Sequence, residues 1–247
     1  AEHSRRLTLG TGVAIAFPRS PFVTAQIAWD LQRFSGGRFL LGLGTQVKGH
    51  NERRYSTPWT GPPGPRLREY VLCLRAIFDT FQNNAPPRFQ GKYYQFTLIS
   101  PFFNPGPIEH PHVPIYISAV GPYMCRLAGE LCDGIRLHGF NTLRYTKEVI
   151  LPNLEAGARK AGRSLREIDI VGGGFIITGR NREEIERAKA ATRAQIAFYG
   201  STRTYHGVLE VHGWGEVGMR LHQLSLEGKW QEMANLISDD MLGEFAI

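Results

Sequence analysis

The stretch VPIYISAVGPYMCRLAGELCDGI, from Val113 to Ile135, carries the clearest signal of the fold. It begins with a short apolar run, Val113 to Val120, which stops at Gly121-Pro122. A pattern typical of a helix follows and ends before Asp133-Gly134. A buried strand that passes directly into a helix is typical of proteins in which parallel strands alternate with helices.

The same alternation of strands and helices extends along the chain. Strands are predicted at 7–17, 38–44, 113–120, 134–138 and 168–179, helices at 21–34, 67–81, 123–132, 146–161 and 183–199, a hairpin at 89–97 and a mostly helical tail. In the first helix Val23, Ile27, Leu31 and Phe34 share one face. A closed barrel needs eight strands over about 250 residues. Five strands therefore fit either a barrel that lacks its ends or an open parallel sheet.

Composition narrows the class of protein. The 247 residues are 42% hydrophobic and carry a net charge of +7, without a Lys/Arg run that resembles a nucleic-acid tail. A basic enzyme or a phosphorylated small-molecule ligand is therefore favoured over nucleic acid. The three cysteines form no pattern, which favours reduced thiols and a cytoplasmic protein. No apolar run reaches membrane-spanning length, so no membrane partner is expected.

Three predicted strands end in small residues, in the sequences LGTGV, LGLGTQ and ISAVGP. Enzymes with parallel sheets bind ligands at the carboxyl ends of their strands. The third strand leads into a helix, whose free N–H groups and dipole attract a phosphate. We therefore predict a phosphate cradle lined by Ser118, Ala119, Val120, Gly121 and Met124. Glycines also occur at such turns without any ligand, and spacing alone leaves the two alternatives open.

The order of these motifs resembles the luciferase-like monooxygenase superfamily, in particular its branch that uses the deazaflavin coenzyme F420. The resemblance rests on GTGVAIAFPRSPFVTAQIAWDLQRFSGGRFLLGLGTQVKGH, from Gly10 to His50, followed by the opening stretch. Three further runs, GTQVKGHNERR, PFFNPGPI and QIAFYGSTRTY, resemble one subgroup of F420-dependent oxidoreductases.

The resemblance implies an α/β fold, a single (β/α)8 TIM barrel domain over 1–247 with an insertion at about 45–112. In that alignment this chain supplies strands three to seven, and strands one, two and eight are expected outside it. An open barrel of this kind would expose unpaired edges, so we expect poor solubility unless other segments or partners close it.

The resemblance also implies the coenzyme contacts. Gly12-Val13 matches the position of a non-proline cis peptide behind the deazaflavin ring. Thr45 and Gln46 end the fourth strand beside the ring or its ribityl chain, and His50 matches a position that carries a polar contact. Val47 stands where some relatives have an acidic residue, and the histidine that relatives place on their second strand has no counterpart here. No metal site is expected.

Substrate is expected over the exposed face of the ring, in a pocket formed by Phe17, Arg19, Trp59 and Phe140. Within this chain His138 is the candidate catalytic residue because it ends a strand and could donate a proton, with a pocket-wall or core histidine as the alternative. The main catalytic residue is expected outside this chain.

Three functions follow as alternatives. The first is an F420-dependent oxidoreductase that transfers a hydride to or from a small organic substrate. The second is an FMN-dependent monooxygenase that uses oxygen and a partner reductase, and the third is a non-catalytic binding subunit. The resemblance also implies a homodimer.

Overall fold

The computed structural model describes residues 3–247, in which parallel strands form one sheet beside a separate short hairpin. The strands of the sheet are β1 Leu9–Gly10, β2 Ala14–Ile15, β3 Phe39–Gly44, β6 Ile115–Ala119, β7 Gly134–Leu137 and β8 Asp169–Val171, and β4 Phe89–Gln90 pairs antiparallel with β5 Gln95–Phe96 in the hairpin. The order of the sheet is β1-β3-β6-β7-β8, with β2 also paired to β3.

Helices separate the strands along the chain and complete its carboxyl-terminal part. They are α1 Pro21–Ser35, α2 Lys48–Arg54, α3 Pro63–Asn83, α4 Pro122–Leu131, α5 Leu143–Tyr145, α6 Leu151–Lys160, α7 Arg182–Gly200, α8 His206–Glu210, α9 Gly215–Leu226, α10 Trp230–Met233 and α11 Asp239–Phe245. A π-helical turn at Thr146–Ile150 joins α5 to α6.

The register of the sheet explains why its two faces differ. Leu43, Ile117 and Ile135 are neighbours across β3, β6 and β7, and all three are fully buried in the main core. The alternate positions Ser118 and Arg136 are also neighbours, but they are half-buried and exposed respectively. One face is therefore apolar and packs on the helices, whereas the other face carries polar groups.

The first predicted strand is divided into β1 and β2 by a bulge at Thr11. The hydroxyl of Thr11 donates to the carbonyl of Gly42 at 2.7 Å and accepts from the N–H of Gly42 at 2.9 Å. A Cβ at Gly42 would lie 2.0 Å from the Thr11 carbonyl oxygen. Only glycine allows the two backbones to approach this closely.

Helix α1 confirms the predicted helix but places its apolar stripe outward. Ser20 caps the helix by accepting from the N–H of Val23, and Gly36 ends it in the left-handed conformation. The stripe of Val23, Ile27, Leu31 and Phe34 is between 42% and 75% exposed. The buried side consists of Thr24, Ala25, Ala28, Trp29 and Gln32.

The stretch predicted as an insertion contains α3, which packs between α1 and α4 in the helical layer. The predicted hairpin is present, and its turn is attached to α3. The carboxylate of Glu69 accepts from the N–H groups of Lys92, Tyr93 and Tyr94. Because a carboxylate gains strongly from several N–H donors, this contact fixes the hairpin against α3.

The predicted strand over 168–179 is shorter in the structure, and the FAI stretch, 245–247, takes part in the pairing. Phe175 forms a parallel bridge with Ala246, and the N–H of Ile247 donates to the Phe175 carbonyl. A Cβ at Gly174 would lie 2.6 Å from the Phe245 carbonyl oxygen. Gly174, the last of three successive glycines at 172–174, therefore allows the backbone of the FAI stretch to approach this closely.

Asp133 connects the start of the opening strand to α3. Its carboxylate accepts from Arg75 at 2.5 Å, from the N–H of Ile115 at 2.7 Å and lies 2.7 Å from His112 Nε2. Although burial raises the pKa of Asp133, Arg75, the Ile115 N–H and His112 together hold it below its usual value. Asp133 is therefore a structural anchor of β6.

Candidate functional site

All strands of the sheet are parallel, so their carboxyl ends lie at one edge. The ends of β3, β6 and β7 are adjacent in the order of the sheet, which brings Thr45, Gly121 and His138 to that edge. This edge is the candidate functional site.

The turn from β6 into α4 has the features that a phosphate cradle needs. Gly121 is the N-cap of α4, and no side chain within residues 3–247 caps this end of the helix. The N–H groups of Tyr123 and Met124 in the first turn therefore lack a partner within the helix. A Cβ built on Gly121 meets no atom within 4 Å, so the space in front of the turn is open.

The other predicted cradle residues surround this turn in different ways. Ser118 and Val120 are half-buried, whereas the side chain of Ala119 is 2% exposed and belongs to the core. Tyr145 donates its hydroxyl to the Val120 carbonyl at 3.0 Å and so fixes the turn from behind. Any contact from Ala119 to a ligand would therefore come from its backbone.

The end of β3 presents a polar turn. Gln46 has a φ of 57°, a left-handed conformation that non-glycine residues adopt mainly where the surroundings require it. Thr45 is half-buried, and its carbonyl accepts from the buried Asn51 side chain at 2.9 Å. His50 Nδ1 lies 3.3 Å from an Arg54 nitrogen, so this ring edge is engaged within α2.

The bulge of the first strand presents backbone to the polar face of the sheet. The Gly12–Val13 peptide is cis, as the family resemblance implies. A Cβ at Gly12 would lie 3.3 Å from the guanidinium of Arg136, which places this exposed cation beside the bulge. A Cβ at Gly44 would lie 2.5 Å from a Val13 methyl, so Val13 covers the end of β3.

The residues of the predicted substrate pocket lie in different environments. Phe17 is buried with Trp59 against its edge at 6.0 Å and the Arg66 guanidinium 4.3 Å above its ring. Arg19 is exposed and donates to the Ile15 carbonyl at 2.8 Å. Phe140 is fully buried and stacks on Phe245 at 4.6 Å, so its side chain serves the core and lines no open surface here.

The His138 ring packs against two tyrosine rings. Tyr199 contacts its ring edge-on at 4.6 Å between centroids, and Tyr205 lies 5.0 Å away. Its Nδ1 accepts from the Phe140 N–H at 2.9 Å. Burial lowers the pKa of His138, which favours the neutral imidazole.

The sequence assigned no role to four residues at this site, which are Arg136, Tyr145, Tyr199 and Tyr205. Tyr199 and Tyr205 both lie within QIAFYGSTRTY, one of the runs that carry the family resemblance. That run was the available signal for their position at the site. Nothing in the sequence linked Tyr145 or Arg136 to the two glycine turns that they contact.

The part of the chain that the structure describes contains neither a membrane-spanning helix nor a cluster of metal-binding side chains. No helix within residues 3–247 is long and apolar enough to cross a membrane. The same residues contain no group of three or more His, Cys, Asp or Glu side chains placed to hold a metal ion.

Comparison with known families and relatives identifies similar proteins. A family model described as luciferase-like monooxygenase matches residues 1–247. An uncharacterized protein of Mycobacterium tuberculosis is 44% identical over 247 residues, which are all of this chain and 72% of that relative. The 5,10-methylenetetrahydromethanopterin reductase of Archaeoglobus fulgidus is 33% identical over 251 residues, covering 99% of this chain and 70% of the reductase.

A solved structure shows the same fold. The coenzyme F420-dependent tetrahydromethanopterin reductase from Methanopyrus kandleri superposes with a TM-score of 0.73 at 23% identity. The match covers 97% of this chain and 70% of that structure. It confirms the predicted fold class, the strand-and-helix arrangement of a luciferase-like barrel.

Proposed function

This chain belongs to the luciferase-like monooxygenase family of oxidoreductases, and from that premise we propose that it is an F420-dependent oxidoreductase acting on a small organic substrate. The motif order and the Methanopyrus kandleri reductase, which is described as coenzyme F420-dependent, support F420 over FMN. Bound F420 supplies a carbon centre that gives or takes a hydride.

The observation that carries the proposal is the uncapped first turn of α4. The N–H groups of Tyr123 and Met124 and the positive end of the helix favour an anion, such as the phosphate of the coenzyme tail. The open space at Gly121 leaves room for it. The residues present therefore fit a phosphorylated coenzyme.

The remaining contacts follow from the same edge of the sheet. Gly12 and Val13 offer a flat backbone surface for one side of a ring system, and Thr45 and Gln46 lie at the end of the neighbouring strand. His50 reaches a coenzyme only with the part of its ring that Arg54 leaves free. Trp59 and Arg19 form the substrate side, and the buried Phe17 and Phe140 support it from the core.

Titration with F420 tests the proposal. Purified protein is added to oxidised F420 while its fluorescence is recorded, and the deazaflavin chromophore without its phosphorylated side chain serves as the matched control. We expect saturable binding of F420 and much weaker binding of the bare chromophore, because the cradle holds the phosphate.

The same titration separates the alternatives. Tight binding of FMN in preference to F420 would select the FMN-dependent monooxygenase. Binding of neither compound would select the non-catalytic subunit. The proposed homodimer and the proposed cytoplasmic location are tested separately, by light scattering during gel filtration and by cell fractionation.

A further inference from the structure

His138 has one defined tautomer, because its two ring nitrogens have different surroundings. Nδ1 accepts a hydrogen bond from the Phe140 N–H at 2.9 Å. A neutral imidazole has one donor and one acceptor nitrogen, so its proton must lie on Nε2. Protonation of Nδ1 would place two N–H groups against each other and break this bond.

The environment of the ring also favours the neutral form. Tyr199 from α7 and Tyr205 from the turn before α8 contact the His138 ring, and Arg136 in β7 lies two residues before it. Burial raises the pKa of Tyr205, so this phenol stays uncharged near pH 7. Burial is the cause that lowers the pKa of His138, and no carboxylate among residues 3–247 offsets it.

The Nε2 group is available to a ligand. It makes no hydrogen bond within residues 3–247, and it is not among the buried polar atoms that lack a partner in that part of the chain. It therefore keeps contact with solvent at the carboxyl end of β7, the edge that carries the cradle.

We propose that His138 donates a hydrogen bond from Nε2 to an acceptor oxygen of the substrate, and that the substrate is a carbonyl compound or its alcohol, whose oxygen receives this bond. This inference rests on the proposed function. Substrate cations are disfavoured because Nε2–H cannot accept from an ammonium group.

The chemistry balances without a proton from His138. In carbonyl reduction, a hydride that reduced F420 would supply, becoming oxidised F420, adds to the carbon, the C=O π electron pair moves to the oxygen, and that oxygen takes a proton from water. Loss of the Nε2 proton would leave an imidazolate, so His138 keeps this proton and stabilises the developing oxyanion through its hydrogen bond. The expectation that His138 is a proton donor is thus narrowed to hydrogen-bond donation.

Histidine ¹⁵N NMR of the whole protein tests the tautomer independently of coenzyme binding. His138→Gln identifies the signals by their loss. We expect His138 to be neutral with its proton on Nε2 between pH 7 and 8. A proton on Nδ1, or protonation of the ring within that range, would overturn the inference.

A ligand probe tests the donor role in the same sample. Cyclohexanone should move the Nε2–H proton signal downfield, whereas cyclohexylammonium, which has a similar ring but no acceptor, should not. An equal response to both probes, or no response to cyclohexanone, would overturn the inference. Absence of F420 binding together with a selective cyclohexanone response would refute only the proposed coenzyme.

Two substitutions of His138 distinguish the bond that Nδ1 accepts from the bond that Nε2 donates. His138→Asn can keep the bond from the Phe140 N–H but lacks a donor at the Nε2 position, whereas His138→Gln can place an amide N–H there. With F420 bound, we expect ketone-dependent oxidation of the reduced coenzyme to fall about 100-fold in the Asn variant. We expect a smaller loss in the Gln variant, with similar melting temperatures for both. Equal losses would contradict donation from Nε2.

Discussion

A negative charge at Gly121 should prevent the binding of a phosphorylated coenzyme without harming the fold. Gly121 has φ −80° and ψ 160°, which suit an N-cap side chain, and a Cβ there meets nothing within 4 Å. We therefore compare Gly121→Asp with Gly121→Asn, because the two side chains match in size and capping ability and differ in charge.

The expected magnitude follows from the position of the turn. Two unit charges about 4 Å apart repel by about 4 kcal/mol at an effective dielectric constant of about 20. Gly121 is only half-buried, so solvent screening reduces this to about 2 kcal/mol. That energy corresponds to a roughly 30-fold weaker affinity of the Asp variant than of the Asn variant.

The assay is the F420 fluorescence titration at low salt, with thermal melts as the control for folding. Exchanging Gly for Asp or Asn at an N-cap changes stability by a few tenths of a kcal/mol, so both variants should melt within about 2 °C of the parent. The Asn variant should also bind less well than the parent, because its side chain competes for the N–H groups of the first turn. Equal F420 affinity of the Asp and Asn variants would refute the cradle.

Two further predictions concern the fold. Asp133→Asn should lower the free energy of unfolding by about 2 kcal/mol at pH 7, because Arg75 and the Ile115 N–H lose a charged acceptor. The folded pKa of Asp133 lies below its unfolded value, so this stabilisation is present above about pH 4 and disappears as the pH falls through the folded pKa. Urea melts of the parent and of the Asp133→Asn variant should therefore converge at low pH. A difference between the two that stays constant down to pH 3 would contradict this. Gly42→Ala should cost about 2 kcal/mol or more in the same melts, because its Cβ would meet the Thr11 carbonyl, whereas Gly243→Ala, at an open site, should cost nothing and serves as the control.

The sequence predicted the elements of this fold well because each carries a local signal. Continuous apolar runs marked β3 and β6, and capping residues such as Ser20 and Gly36 bounded α1. The orientation of α1 could not be derived in the same way. Periodicity shows that an apolar stripe exists, but the face of α1 that is buried is the one on which Trp29 stacks on Phe78 of α3.

The candidate site was predictable where it depends on backbone and not where it depends on distant contacts. Gly121 and Gly12 could be found from strand-end motifs alone, since small residues at such ends have a direct steric meaning. Tyr199 and Tyr205 are more than sixty positions from His138 in the chain, and no local rule connects them. The buried position of Phe140 likewise follows from Phe245, at the far end of the sequence.

The most direct test of the central claim is the backbone amide NMR spectrum of the protein during addition of F420. The account predicts that the N–H signals of Tyr123 and Met124 move first and furthest, and that inorganic phosphate at high concentration moves the same two signals in the same direction. Binding of F420 that leaves both amides unchanged would contradict it.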